Sequence, residues 1–373
     1  MKILCYSSYY LPYISGITTT TSHILTSLSD KHKITVLTFN YDKRQKPIEI
    51  SKRINVVRMP WILKISKGFI SPSSIATYLD ELQKHDVIMV NLPNVEALLL
   101  VILAKIYKKR VIALFHCDLD LGSSFFSKII TSVVRAAVLV QLALSDEIIA
   151  YPDYLTGHPY KKWFHKKIKT CFPVADLAYP DQKYIKELRK ISIGISISYI
   201  GRMAREKGIE YLLGACERLK NRKVSYTLFI AGPTFVAGEG SYQDKIIKLL
   251  RENNISHKFL GELSKKELSS LYRISDVVVI PSINGTEAIS IVQLEALLAG
   301  TPVVATSLPG VRLPIQLTNL GVIVKPKNTE EIADAIIKIT KNPSSFRTSG
   351  NISKSKQEFD KKRVFQFYAK LFS

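Results

Sequence analysis

The stretch TEAISIVQLEALLAGTPVVAT, Thr286 to Thr306, sets two carboxylates, Glu287 and Glu295, around an apolar run with seven residues between them. The strand-like VVVIPS and an Asn284-Gly285 turn precede it. This pattern predicts a helix that starts near Ser290 and ends at Gly300, with Glu287 in the loop before it and Glu295 about one and a half turns inside. An ionised carboxylate only accepts hydrogen bonds, so it suits a pair of hydroxyls. The N–H groups of Ile291 and Val292, orphaned at the helix start, suit an anion. Upstream, YIGRMAREKG ends a strand at Gly201 and places Arg202 and Lys207 around the following turn. A guanidinium fork and a compact ammonium at such a turn suit a diphosphate. Two more strand ends share this character. LFIAGPTFVAGEGSY breaks at Gly232-Pro233, and FLGELSKKEL breaks at Gly261–Leu263 before a helix with Ser264 and Glu267 spaced as a capping box. Each feature alone is compatible with a solvated loop of a basic chain. The order is informative: strand, glycine turn, Glu, helix N-terminus, Glu, Ala-Gly-Thr-Pro, strand.

Elements that would position these residues repeat along the chain. Lys2–Tyr6, Ile34–Phe39, Asp86–Val90, Val111–Phe115 and Glu147–Ala150 read as buried strands, separated by helical patterns at Thr18–Ser29, Ser73–Lys84, Val95–Lys108 and Ser127–Leu144. The rhythm restarts with strands at Ser196–Ile200, Tyr226–Ala231, Lys258–Leu260, Val277–Ile280, Val303–Ala305 and Gly321–Val324. Alternating βα units predict parallel sheets covered on both faces, so the fold class is α/β. With Pro173, Pro180 and Gly194 marking a linker, the expected domains are 1–180, 181–355 and a C-terminal helix at 356–373 that could pack on either.

Composition narrows the partners. The 373 residues carry 53 Lys+Arg against 31 Asp+Glu, a net charge of +22, which favours phosphorylated ligands, nucleic acid or an acidic membrane surface. Cys5, Cys117, Cys171 and Cys216 show no metal or disulfide spacing, which fits a reducing, cytoplasmic setting. The N-terminus turns polar too early for a signal peptide. The most apolar run, Ile129–Leu144, is shorter than the ~20 residues of a bilayer span and reads as a buried or interfacial helix.

The second half resembles the nucleotide-sugar-binding domain of family 4 glycosyltransferases. The ordered segments are GRMAREKGIEYLLGA, FIAGP, FLGELSKKELSSLYRISDVVVIPS and TEAISIVQLEALLAGTPVVAT, about 150 residues in all. The first half is more loosely similar, in YYLPYISGITTTTSHILTSLSDKHKITVLT and SDEIIAYPDYL. The resemblance implies a GT-B fold, with two Rossmann-like domains facing across a cleft, and a retaining transferase using a nucleoside diphosphate sugar of UDP or GDP type. It places Arg202 and Lys207 on the donor diphosphate, Glu295 on the ribose hydroxyls and Glu287 at the transferred sugar. Ser290, Ile291 and Val292 fall at the donor-facing helix start, Leu263 at the base, Gly16 in the loop closing over the donor, and His116 beside the reacting sugar. Three positions depart from the family pattern. Ser15-Gly16 replaces paired glycines, Ser290 replaces a glycine, and VRLPIQLTNLG follows ATSLPG without the common acidic residue. Asp118-Leu119-Asp120 imitates a metal motif of another glycosyltransferase fold, but the order of the other motifs opposes that fold, and neither an essential metal nor a cofactor is expected. The implied acceptor is a glycan or a lipid-linked molecule. The rivals are a nucleic-acid-binding α/β protein, for which no recognition motif is present, and an inactive sugar-nucleotide-binding member, which would be expected to lack Glu287, Arg202 or Lys207.

Two segments mix cations with aromatic residues. Ser51–Phe69 holds Lys52, Arg53, Arg58, Lys64 and Lys67 with Trp61, Ile62, Leu63 and Phe69, and HPYKKWFHKKIK (158–169) sets Tyr160, Trp163 and Phe164 among lysines. Such composition predicts peripheral contact with an anionic membrane face.

Overall fold

The computed structural model describes residues 1–42, 48–51, 53–65, 68–119, 125–233 and 240–373. The chain forms two compact units, Met1–Val174 with Lys362–Ser373, and Ala175–Lys361.

The first unit contains strands β1 (Lys2–Tyr6), β2 (Lys33–Phe39), β3 (Ile48–Ser51), β4 (Ile54–Met59), β5 (Leu63–Ile65), β6 (Gly68–Ile70), β7 (Val87–Leu92), β8 (Arg110–Phe115), β9 (Glu147–Ala150) and β10 (Ile168–Thr170). Eight of them form one sheet in the order β10-β9-β8-β7-β1-β2-β4-β3. Its pairs are parallel except β3 on β4, and β5 and β6 make a separate antiparallel hairpin. The central strands are buried on both faces, which explains their continuous apolar runs. In the final helix, Lys361–Leu371, the residues Val364, Tyr368 and Leu371 join the core of Ile3, Cys5, Val36 and Met89.

The structure gives part of Ser51–Phe69 a structural role. Six of its residues are the parallel strand β4, which pairs with β2. Arg58 is buried, and its guanidinium donates to the Leu11 carbonyl at 2.7 Å and to Glu49 at 3.0 Å. Trp61 donates its ring N–H to the Asn40 carbonyl at 2.8 Å, and its ring packs on buried Phe69. Lys64 lies over the rings of Tyr9 and Phe69. Arg58 and the rings of Trp61 and Phe69 are therefore committed to the fold, while Ile62 and Leu63 are exposed; Lys52 and Lys67 lie outside the described residues.

The second unit contains β11 (Ile195–Ile200), β12 (Tyr226–Ala231), β13 (His257–Gly261), β14 (Val277–Ile280), β15 (Val303–Thr306) and β16 (Gly321–Val324). They form an all-parallel sheet in the order β13-β12-β11-β14-β15-β16. Its core gathers Ile197, Leu228, Val277 and Val304 with Leu212, Cys216 and Ile336 from the covering helices. The strand order reverses at β11, which has β12 on one side and β14 on the other. Ligands of open α/β sheets bind beyond the carboxyl ends of the strands at such a reversal.

Candidate active site

The loops leaving β11 and β14 therefore define the place to look, and they carry the charged residues singled out above. β11 runs into Gly201 and Arg202, and a short 3-10 turn, Arg205–Lys207, follows. Tyr199 fixes this turn by donating its buried phenol to the Arg202 carbonyl at 2.7 Å. Gly208 closes the turn with φ at +62°, where a Cβ would lie 2.4 Å from the Pro281 carbonyl oxygen and 2.5 Å from Ile283. Only glycine meets both demands. The β11 loop thus packs directly on the β14 loop, and the Ile283 N–H donates to the Glu206 carbonyl at 3.0 Å.

That packing brings Lys207 and Glu287 together. The Lys207 ammonium donates to Glu287, which is buried, whereas Lys207 is partly exposed. Arg202 is more exposed and donates to Glu206 at 2.9 Å. Asn284 shapes the intervening loop by accepting from both the N–H and the hydroxyl of Thr286. The helix Ile291–Leu298 begins at Ser290, which makes no side-chain cap bond. The Val292 amide accordingly lacks the partner that a capping side chain would give it, and the Ile291 amide, at the first helical position, has no intrahelical acceptor. Gln293, fully buried, donates to the Val311 carbonyl at 2.9 Å and so fixes the segment after β15 where the family's acidic residue is missing.

Glu295 lies deeper along the same helix and accepts from the Tyr272 hydroxyl at 2.8 Å. Burial pushes its carboxyl up to about 7, against the opposing pull of that hydrogen bond and of Lys265. Leu263 follows β13 and packs with Leu188 and Phe229, and the capping box at Ser264 is formed, with the Ser264 N–H donating to Glu267 at 2.8 Å. The second unit thus assembles Arg202, Lys207, Glu287, Ser290, Ile291, Val292 and Glu295 along the carboxyl edge of β11 and β14, with Leu263 at the end of β13.

Gly16 and His116 belong to the first unit. Gly16 opens the helix Gly16–Leu28, and Ser15, which departs from the family's glycine pair, is its N-cap, forming a reciprocal box with Thr18. His116 follows β8 and is buried. Its Nδ1 lies 2.8 Å from the Tyr151 hydroxyl and its Nε2 2.7 Å from Asn91 Oδ1. An amide oxygen only accepts, so Nε2 carries the proton and Nδ1 accepts from Tyr151. Burial lowers the imidazole pKa to about 4, so the ring is neutral at neutral pH. Asp118 pairs with Arg135 at 2.9 Å, and Asp120 lies outside the described residues. Among the described residues, no cluster of three His, Cys, Asp or Glu side chains is placed to hold a metal.

Sequence patterning did not bring out Glu206, Tyr199 or Tyr272. Glu206 was hidden in a run of charges, and the two tyrosines resembled core residues because their rings are core. Only their hydroxyls reach the site.

Comparison with known proteins shows what this site resembles. Residues 181–359 match the family model described as glycosyl transferases group 1. The match falls within the second unit. An uncharacterized glycosyltransferase of Methanocaldococcus jannaschii is 38% identical over 149 residues, which are 38% of this chain and 36% of that protein. The alpha-D-kanosaminyltransferase of Streptomyces kanamyceticus is 26% identical over 268 residues, 61% of this chain and 67% of that protein. Among solved structures, sucrose-phosphate synthase from Thermosynechococcus elongatus superposes with a TM-score of 0.77 at 19% identity, covering 100% of this chain and 99% of its own. The Anabaena protein HepE in complex with UDP-glucose gives 0.76 at 19% identity, with the same coverage. The two Rossmann-like units, each built on a parallel sheet, are those of the GT-B fold.

Proposed function

We propose that this chain is a retaining glycosyltransferase that moves a sugar from a nucleoside diphosphate sugar, of UDP or GDP type, to a glycan or lipid-linked acceptor. The observation that carries the reading is the Lys207–Glu287 pair in the loop before the uncapped start of the helix Ile291–Leu298, at the strand-order reversal of the second unit, with Glu295 further along that helix. A donor laid along this edge would meet groups of matching chemistry in sequence. Glu295 would accept from the ribose hydroxyls, Leu263 would meet the base through its backbone, and Arg202, Lys207 and the helix amides would take the diphosphate. Glu287 would face the transferred sugar. The UDP-glucose bound by HepE supports a sugar nucleotide as the ligand class.

In the reaction, the bond between the anomeric carbon and the diphosphate oxygen breaks, and a bond to the acceptor hydroxyl oxygen forms on the same face. The acceptor proton passes to the departing diphosphate. Charge grows on that diphosphate, so the fixed cations and amides act where the transition state needs them. Placement of the donor contributes the rest. The roles of Gly16 and His116 rest on the family resemblance alone.

The acceptor reading draws on the first unit. Its helix Phe125–Leu144 extends the apolar run seen in the sequence by one turn, to 20 residues, and is long and apolar enough by length and composition to cross a membrane. It folds instead with Ala137, Val138, Gln141 and Leu142 buried, while Phe125 and Phe126 are 75% and 77% exposed and Ile129, Val133 and Val140 are exposed beside them. Arg135 of this helix and His158, the N-cap of the helix Pro159–Phe164, both meet Asp118. Exposed Trp163, Lys161 and Lys162 follow on that second helix, with Lys166 just beyond it. Neither helix contains Asp or Glu. An apolar ridge with an acid-free basic flank suits an anionic lipid surface, on whose cytoplasmic side a sugar nucleotide would be available.

A panel of nucleoside diphosphates and their sugars, tested for protection against thermal unfolding and for sugar release, tests the proposal. A shift in Tm with one donor and its diphosphate, and slow hydrolysis of that donor, is expected. Failure of every sugar nucleotide to protect the chain would refute it.

A further inference from the structure

The Glu295 carboxylate is held by a residue that has no direct part in donor binding. Tyr272 lies on the helix Lys265–Ile274, is fully buried, and donates to Glu295 Oε2 at 2.8 Å. Its backbone carbonyl accepts from the Thr301 hydroxyl at 2.7 Å, in the turn that follows the helix of Glu295. One residue thus ties the carboxylate and the far end of the helix that carries it. We propose that Tyr272 is the positioning residue for ribose recognition: its phenol orients Glu295 and keeps that side chain ready to accept from the two ribose hydroxyls. This rests on the reading of Glu295 as the ribose carboxylate.

The chemistry is restrictive. Burial raises the Tyr272 phenol well above its ordinary pKa, so it stays protonated and can only serve Glu295 as a donor. The bond uses one acceptor site on Oε2, the Asp176 backbone N–H supplies a further hydrogen bond to the carboxyl, and the remaining lone pairs are left for the ligand. A donor to a carboxylate favours its charged form, and burial opposes it, so this hydrogen bond counters the drift of Glu295 toward the neutral acid. A protonated Glu295 would present a donor to a ribose hydroxyl and lose acceptor capacity. The other charged groups acting on Glu295 are Lys265, from the same helix as Tyr272, and Asp176, whose side chain is engaged by Lys361 at 2.7 Å and Lys265 at 3.8 Å. The neighbouring strands β14 and β15 and the helix Leu313–Thr318 carry no ionisable side chain, and on the helix Ser349–Glu358 the lysines Lys354 and Lys356 are exposed.

The test is calorimetric binding of UDP and of GDP to the full chain between pH 6 and pH 9, using whichever binds. Wild-type affinity should fall as pH drops through about 7. Tyr272→Phe keeps the ring in the core, and its affinity at pH 7 should be about tenfold lower, with the acid limb moved to higher pH and recovery toward wild type at pH 9. Glu295→Gln should bind weakly with a flat profile. A Tyr272→Phe profile that overlays wild type, or one weakened by the same factor at every pH, would overturn the proposal while leaving the ribose reading intact. If Tyr272→Phe does not fold, the wild-type and Glu295→Gln profiles decide: a wild type without an acid limb overturns it. Unchanged binding in Glu295→Ala would instead remove the ribose reading itself.

Discussion

Lys207 and Glu287 stand 80 residues apart in sequence and form one ion pair at the carboxyl edge of the second sheet. The pair exists because Gly208 lets the β11 loop lie against the β14 loop. It gives both residues a structural duty besides any role toward a donor. Removing the ammonium alone strands a carboxylate that is only 7% exposed. Lys207→Ala should therefore cost about 3 kcal/mol of stability as well as transfer activity. The double variant Lys207→Ala/Glu287→Ala should regain much of that stability and remain inactive. Urea denaturation of the three variants checks this, and an additive double variant would mean that the pair is not coupled. Arg202→Ala removes an exposed pair with Glu206 and should lose transition-state stabilisation with little change in stability.

The two carboxylates should separate by ligand. Glu295→Ala is expected to weaken the bare nucleoside diphosphate and the sugar donor alike. Glu287→Ala should bind the diphosphate nearly as wild type and fail in transfer. Calorimetry with the diphosphate on both variants is the measurement; equal losses would mean that the assignments along the edge are misplaced.

Much of this arrangement was legible in the sequence, for a physical reason. Strands buried on both faces read as apolar runs, so β1, β7, β8, β9 and β14 stood out, as did the helix start at Ser290. Strands with charged residues did not. β4 contains Arg58, whose burial depends on Glu49 and the Leu11 carbonyl, partners that no local pattern announces. β10 is an edge strand inside a lysine-rich segment, and its Lys169 pairs with Glu147 of β9. Within the site, residue types were legible and pairings were not. Lys207 with Glu287, and Tyr272 with Glu295, are products of the sheet order.

Backbone sterics offer a sharper test of the loop packing. Gly208→Ala would set a methyl against the Pro281 carbonyl in a left-handed conformation, and a loss of about 1–3 kcal/mol is expected. Gly285→Ala, whose Cβ would meet open space, is the control and should change little. A Gly208→Ala protein with wild-type denaturation would show that the two loops are not held in contact.

His116 gives a pH prediction. Its folded pKa of about 4 lies below the ordinary 6.5, so its contribution is complete above pH 6.5 and is lost as pH falls toward 4, where the unfolded chain takes the proton first. The loss should be on the order of 3 kcal/mol. Replacement by Asn should flatten stability over that window, measured by urea denaturation at several pH values. Because both ring nitrogens are engaged, the pH–rate profile should show no limb from this histidine. A limb near 6.5 that disappears in His116→Asn would assign it to proton transfer instead.

The exposed ridge of the helix Phe125–Leu144 predicts how the first unit meets a membrane. Phe125, Phe126, Ile129 and Val133 can enter the interface without unfolding, because the opposite face of the helix already packs on the unit. Each lysine near an anionic leaflet adds about 1 kcal/mol, so Lys128, Lys161, Lys162 and Lys166 together suffice for reversible attachment. Co-sedimentation with vesicles should require anionic lipid and weaken as salt rises. Replacing the three lysines around Trp163 by Gln should reduce binding mainly at low salt, where screening is weakest. Replacing Phe125 and Phe126 by Ser should reduce it at every salt concentration, because apolar burial is not screened. The Arg53→Gln change in the first unit is the control and should leave binding unaltered, since its side chain donates to the Asp30 carbonyl and belongs to neither helix. Equal recovery in the supernatant with neutral and anionic vesicles at low salt would exclude the lipid surface and point to a soluble glycan as acceptor.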